Sequence, residues 1–253
     1  MNKKKLMALM LVVAMLAIAI AGSTLAYFTD EAEVDNVFTM KGIKIELNEV
    51  FDPENAELAP GKNIEKRVTV TNTGTTDTYV RVHVAFPAAL DDGDPTFAAY
   101  NNFLHWNFDW DSVADGQWSW IPEYTEGTGY KGNGVGNWNY YTTEIDGIEY
   151  AVYVATYRTA LAPGETTATE AINNVYVDTT VKCEWDEEKQ CFYYVDTKGN
   201  EVYPESFSDG DGQIHVLVFA EASQTDPFEN AYDALNEAFG TPGEDGYVAP
   251  WNR

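Results

Sequence analysis

Histidine, cysteine and basic residues are all scarce in this chain. It has three His, two Cys, and 15 Lys and Arg against 41 Asp and Glu over 253 residues. The resulting net charge of −26 repels phosphate backbones and argues against nucleic acid as a partner. His83, His105 and His215 are isolated in sequence and form no His-Glu-x-x-His zinc helix. A Gly-x-Ser-x-Gly elbow and a phosphate-cradling Gly-x-x-x-x-Gly-Lys-Ser/Thr loop are also missing, so no catalytic residue and no obligate cofactor is assigned. Beyond residue 26 no apolar run is long enough to cross a bilayer. The chain is still 45% apolar, which is too rich for an acidic disordered polymer and sufficient for a core.

The N-terminus follows a different chemistry. Lys3, Lys4 and Lys5 precede an unbroken apolar run over residues 6–21, and Gly22-Ser23-Thr24-Leu25-Ala26 supplies small residues for cleavage. Residues 1–26 read as a secretory signal peptide cut before Tyr27, with Ala26 at −1 and Thr24 at −3. A retained anchor is the alternative, because the run extended through Ala26 reaches 21 residues. The membrane is touched only through this segment while it is uncleaved. Cleavage leaves residues 27–253 as one domain with twelve Lys and Arg against 41 acids, a net of −29.

Strand periodicity dominates that domain. Ile43, Ile45 and Leu47 alternate with Lys44 and Glu46, Val68 and Val70 with Thr69 and Thr71, and Val80, Val82 and Val84 with Arg81 and His83. Each run reads as a half-buried strand. Later Val-, Tyr- and Phe-rich runs at 150–157, 175–181, 192–195 and 214–220 are bounded by turn residues, so the expected class is all-β, a sandwich or barrel. Leu-Ala-Pro-Gly occurs at 58–61 and again at 161–164, where Pro presets φ and Gly accepts a positive φ, as a type II turn requires. A short C-terminal helix is expected with Asp226 as cap, Pro227 at its first position, Gly240 after its end, and Phe228, Ala231, Tyr232, Leu235, Ala238 and Phe239 on one face.

Three features are candidates for binding or stabilisation. Residues 91–143 read as a long insertion, and within residues 100–141 lie twelve aromatics, among them Trp106, Trp110, Trp118, Trp120 and Trp138. These rings suit a satellite core or lid, a subunit or matrix contact, or a glycan platform. Cys183 and Cys191 flank an expected hairpin tip; a three-residue loop over 186–188 would set them opposite one another for a disulfide, and two free thiols are the alternative. Asp91, Asp92 and Asp94 on a Gly-bearing turn offer hard oxygens for calcium, or else form a solvated acidic turn.

Residues 22–30, then Asn36-Val37-Phe38-Thr39-Met40-Lys41-Gly42 and the strand that follows, resemble the start of TasA/camelysin-type secreted proteins. Leu58-Ala59-Pro60-Gly61, Val68-Thr69-Val70-Thr71-Asn72-Thr73-Gly74, Tyr79-Val80-Arg81-Val82 and Ala220-Glu221-Ala222-Ser223-Gln224 resemble further blocks of that family, whereas residues 90–145 do not. The resemblance implies export through a SipW-type signal peptidase. It also implies a jelly-roll-like antiparallel β-sandwich that polymerises into extracellular biofilm-matrix fibres of Gram-positive bacteria, with itself as partner and an accessory or anchoring matrix protein beside it. In such fibres the N-terminal segment freed by cleavage inserts as a strand into the next subunit. Here residues 27–38 contain no Pro or Gly, reach roughly 36 to 43 Å when extended, and carry Tyr27, Phe28, Val34, Val37 and Phe38 as anchors. The segment folding as an edge strand of its own subunit is the competing expectation. A non-polymerising surface adhesin or glycan-binding module, and a secreted metalloprotease, are the alternative functions.

Overall fold

The computed structural model describes residues 42–52, 56, 59–91, 103–106, 117–120, 139–196, 199–208 and 213–253. The unit Lys41–Arg253 is compact in itself, and the unit Met1–Met40 lies outside the described residues. The alternating runs become β1 (Ile45–Phe51), β2 (Asn63–Asn72) and β3 (Thr78–Pro87), followed by β4 (Leu104–Trp106), β5 (Trp118–Ser119), β6 (Tyr140–Ile145), β7 (Ile148–Tyr157) and β8 (Ile172–Val177). A small meander of β9 (Lys182–Asp186), β10 (Cys191–Val195) and β11 (Glu201–Val202) precedes β12 (Leu217–Gln224) and the helix α1 (Ala231–Phe239). The strands assemble into sheet A, in the order β1-β2-β8-β4, and sheet B, in the order β12-β3-β7-β5 with β6 also on β7. All these pairings are antiparallel. The all-β sandwich expected from periodicity is therefore present.

Val68 and Val70 from sheet A meet Val80, Val82, Val84, Ala151, Tyr153 and Ala155 from sheet B in one continuous core, and the valines are fully buried. Each such side chain is worth roughly 1.5 to 3 kcal/mol of burial. Both Pro-Gly turns form as expected. Gly61 and Gly164 have φ of 75° and 83°, and Lys62 and Glu165 donate back to Ala59 and Ala162 at 2.9 Å each. Asn72 organises the β2–β3 turn by donating to the carbonyls of Thr76 and Leu161 and accepting from the Gly74 N–H. At Gly74 a Cβ would come within 2.4 Å of the Gly42 carbonyl, so only glycine fits there.

Five expectations need correction. Strand β3 is buried on both faces rather than half-buried, because α1 and the tail after it lie over the outer face of sheet B; Arg81 and His83 are as enclosed as the valines between them. The aromatic insertion is not a separate excursion, since two of its pieces return as β4 in sheet A and β5 in sheet B. Helix α1 starts at Ala231 with Asn230 as its cap, its side chain accepting from the Asp233 N–H, four residues later than Asp226-Pro227 implied. Ala238, placed by periodicity on the buried face, is exposed.

The fifth correction concerns the cysteines. The β9–β10 register sets Cys183 opposite Tyr194 and Cys191 opposite Asp186. The turn contains residues 187–190 and is held by the Glu188 and Lys189 N–H groups donating to Asp186. Because side chains alternate, Cys183 and Cys191 project from opposite faces of the hairpin, and both are free thiols. Native protein prepared without reductant is expected to alkylate at both positions; protection of both in the folded state would restore the disulfide.

Candidate functional site

The sandwich is finished unequally. In sheet A, β1 is an end strand whose only partner among the described residues is β2. Thr73 and Thr75 donate to the carbonyls of Lys44 and Gly42 at 2.9 and 3.0 Å. Ladder alternation then turns the backbone groups of Glu46, Asn48 and Val50 towards β2, and those of Ile45, Leu47, Glu49 and Phe51 away from it. In sheet B the end strand is β12, which approaches β1 on the same side of the sandwich.

Burial along this side departs from the usual order. Val218, Ala220 and Ala222 pair with the fully buried Val84, Val82 and Val80 and share their inward face, yet they are only partly covered. Ile45 and Leu47, beside Asn72 and Val70, are likewise half-covered. The opposite face of β12 reverses this, with Glu221 and Ser223 buried beneath α1 and the tail. A core whose inward residues are open along one pair of edges has room for another strand. The nearby Val50 and Phe51 are exposed.

Beside this edge the outer face of sheet B is closed by a buried charge network. Glu221 accepts from Arg81 Nε at 2.5 Å, from His83 Nε2 at 3.1 Å and from Arg253 Nη1 at 2.6 Å. Arg81 also donates to Asn236 and to the Gly240 carbonyl at the end of α1, and Arg253 donates to the carbonyls of Val248 and Phe239. One carboxylate thus ties β12, β3, α1 and the tail together. Burial pushes the Glu221 carboxyl up, but the hydrogen bond from His83 and the charge and hydrogen bond of Arg81 outweigh it and hold the group at about 2. Burial lowers His83 from its ordinary value, so at neutral pH it is uncharged, donating to Glu221 and accepting from the Tyr141 hydroxyl.

The sequence-derived site residues fare differently. Trp118 and Trp120 are 2% and 5% exposed, and the Trp118 indole donates to the Thr169 carbonyl. They are core residues rather than glycan platforms. Trp106 is half-buried, stacked on Phe86 at 4.7 Å and tilted against Tyr153 at 4.5 Å. Asp91 is buried and accepts from the Tyr153 hydroxyl at 2.5 Å, which turns one of its oxygens inward and away from a surface cation. Trp110, Trp138, Asp92, Asp94, Thr24, Ala26, Tyr27, Phe28, Val34, Val37 and Phe38 lie outside the described residues. Trp185 and Phe192, packed edge to face on the β9–β10 hairpin, are exposed instead. Sequence reasoning missed the Glu221 network altogether. Its one signal was the pair of polar residues, Arg81 and His83, within an otherwise valine-rich strand.

Residues 2–92 match the family described as camelysin metallo-endopeptidase. Over that stretch the chain is similar to the camelysin family. A search of curated proteins finds no match. The camelysin description names a metal-dependent peptidase, so the donor set matters. All three histidines are described. His83 is enclosed and engaged by Glu221 and Tyr141, and His105 faces Asp178 and stacks on Tyr176. Among the described residues no three His, Cys, Asp or Glu side chains gather at a point. A His-based zinc set does not fit them, and no step through a metal is derived. No helix among the described residues is long and apolar enough to cross a membrane.

The network sets an acid dependence. Glu221 is held below its unfolded value of about 4.5, so its contribution is present above that value and is lost as pH falls through it towards about 2. The full difference is about 3 kcal/mol. Urea titrations are expected to show stability falling over this window, and Glu221→Gln to flatten that limb while lowering stability at pH 7; equal slopes in both proteins would remove the clasp from the account.

Proposed function

We propose that the protein is a structural subunit of extracellular biofilm-matrix fibres and not a peptidase. Signal cleavage before Tyr27 frees residues 27–38, and this segment of one copy lies along β1 of the next. The observation that supports this reading most is the unfinished side of the sandwich. Four residues of β1 turn their backbone groups away from β2, and the inward-facing Ile45, Leu47, Val218, Ala220 and Ala222 are half-covered beside them. An added strand satisfies the backbone groups and covers the apolar ones in one step, which is β-augmentation. Head-to-tail donation does not close on itself and therefore gives a filament.

Charge shapes the assembly. A mature net charge of −29 makes copies repel one another, and salt or calcium acts as a screen. Six of the twelve Lys and Arg of residues 27–253 lie between Lys41 and Arg81, where a basic groove could receive an acidic donor. Part of that charge is already spent within the subunit: Arg67 pairs with Glu65 and Glu170, and Arg81 with Glu221, whereas Lys66 meets Glu49 with donors to spare. Attraction by bulk charge is thus a small part of recognition, and edge pairing with apolar cover carries most of it. The family's signal peptidase and an anchoring matrix protein are the further partners in this reading.

Electron microscopy and sedimentation of protein beginning at Tyr27, in calcium-containing buffer, are expected to show fibres. Removal of residues 27–38 is expected to leave folded monomers. Fibres from the shortened protein, or monomers from the intact one at high concentration, would reject the reading.

A further inference from the structure

One charged side chain faces inward at the unfinished edge. Strand β2 buries every second residue, Ile64, Lys66, Val68, Val70 and Asn72, so Lys66 points into the sandwich with the valines. It is 5% exposed. Its ammonium donates to Glu49 and lies 4.9 Å from the centre of the Phe51 ring, the residue directly across from it on β1. An ammonium has three N–H donors, and Glu49 takes one of them. A buried lysine at the rim of an apolar core is costly unless it does something that a leucine cannot.

The segment assigned above to this edge has a matching asymmetry. As a strand, residues 27–38 present Phe28, Asp30, Ala32, Val34, Asn36 and Phe38 on one face, and Tyr27, Thr29, Glu31, Glu33, Asp35 and Val37 on the other. The first face is the apolar one, and three of the four acids fall on the second. With the apolar face inward, Glu31, Glu33 and Asp35 meet solvent, and Asp30 is the single acid turned towards the core.

We propose that Asp30 of a neighbouring copy pairs with Lys66 and fixes the register of the incoming strand. This rests on the donor-strand reading above. Laid antiparallel to β1 with Asp30 opposite Phe51, the segment sets Ala32 opposite Glu49, Val34 opposite Leu47 and Asn36 opposite Ile45. Each even-numbered residue meets an outward-turned backbone of β1, and the inward faces coincide. A slip of two residues one way puts Asp30 directly across from Glu49, carboxylate against carboxylate. A slip the other way carries Asp30 past the end of β1 and leaves Lys66 with Glu49 alone. A one-residue slip turns the acids inward. Lys66 thus selects one register for a segment whose own pattern is otherwise degenerate by twos.

Charge reversal followed by mixing tests this on the full chain processed at Tyr27. Asp30→Lys and Lys66→Glu are each expected to slow fibre growth by about tenfold or more. Asp30→Lys does so although it lowers the net negative charge, a change that bulk repulsion alone would reward with faster growth. An equimolar mixture of the two variants is expected to grow at close to the wild-type rate, because each donor then meets a complementary acceptor on the other variant. Pairing within one chain cannot be rescued by mixing. Should Lys66→Glu fail to fold, Lys66→Met mixed with Asp30→Leu makes the same comparison with apolar partners. A mixture no faster than its components, with wild type assembling and the 27–38 deletion monomeric, overturns the pairing and leaves the donor strand standing. Failure of wild type to assemble overturns both.

Discussion

Among the described residues strand β1 has hydrogen-bonding partners on one side only, and this single constraint organises the rest of the structure. Among the described residues no strand lies beside the outward groups of Ile45, Leu47, Glu49 and Phe51, and leaving such groups to water costs little by itself. Exposed apolar surface costs more. Ile45 and Leu47 on one sheet and Val218, Ala220 and Ala222 on the other sit on the core without being closed over, and area covered there returns roughly 25 cal/mol per Å². An edge that offers open backbone and open apolar surface together, with Val50 and Phe51 exposed at its end, is what proteins ordinarily guard against by short strands, bulges or charge. Its retention is intelligible if the edge is used.

The Glu221 network gives that edge its direction. By fastening α1 and the tail across the outer face of β3, β7 and β12, it denies that face to other chains and leaves β1 as the exposed long strand of sheet A. A buried ion cluster is weak evidence for stability, since well-packed apolar residues often do as well, but it does fix one arrangement of the elements it joins. Glu221 joins four. The small β9–β11 meander, with Trp185 and Phe192 at its tip, is the other exposed aromatic feature and is not engaged by this clasp.

How much of this could be read from sequence depended on how local the cause was. The strands β1, β2 and β3 and the two Pro-Gly turns follow from alternation and from φ preferences that act within a few residues, and they appear as expected. Arg81 and His83 were misjudged because what covers them, from Tyr141 to Glu221 and Gly240, comes from residues 58 to 159 positions later, which no periodicity reports. Asp226-Pro227 is a persuasive start signal, yet Asn230 holds the cap, and local preference could not rank the two. The cysteines were misplaced by one residue of turn length, which in a strand exchanges faces. For Trp118 and Trp120 the sequence left a satellite core or lid, an interface and a glycan platform open, and strand β5 with the residue after it sets both rings in the main core. The half-covered inward residues of β12 were invisible, since a sequence shows which residues are apolar but not which are left open.

Amide hydrogen exchange on β1 tests the central claim most directly. Ile45, Leu47, Glu49 and Phe51 are expected to exchange rapidly in monomers lacking residues 27–38 and to become strongly protected in fibres, while Glu46, Asn48 and Val50 are already protected by β2 in both. Equal protection of the two sets in the shortened monomer, or continued rapid exchange of the first set within assembled fibres, would contradict the account.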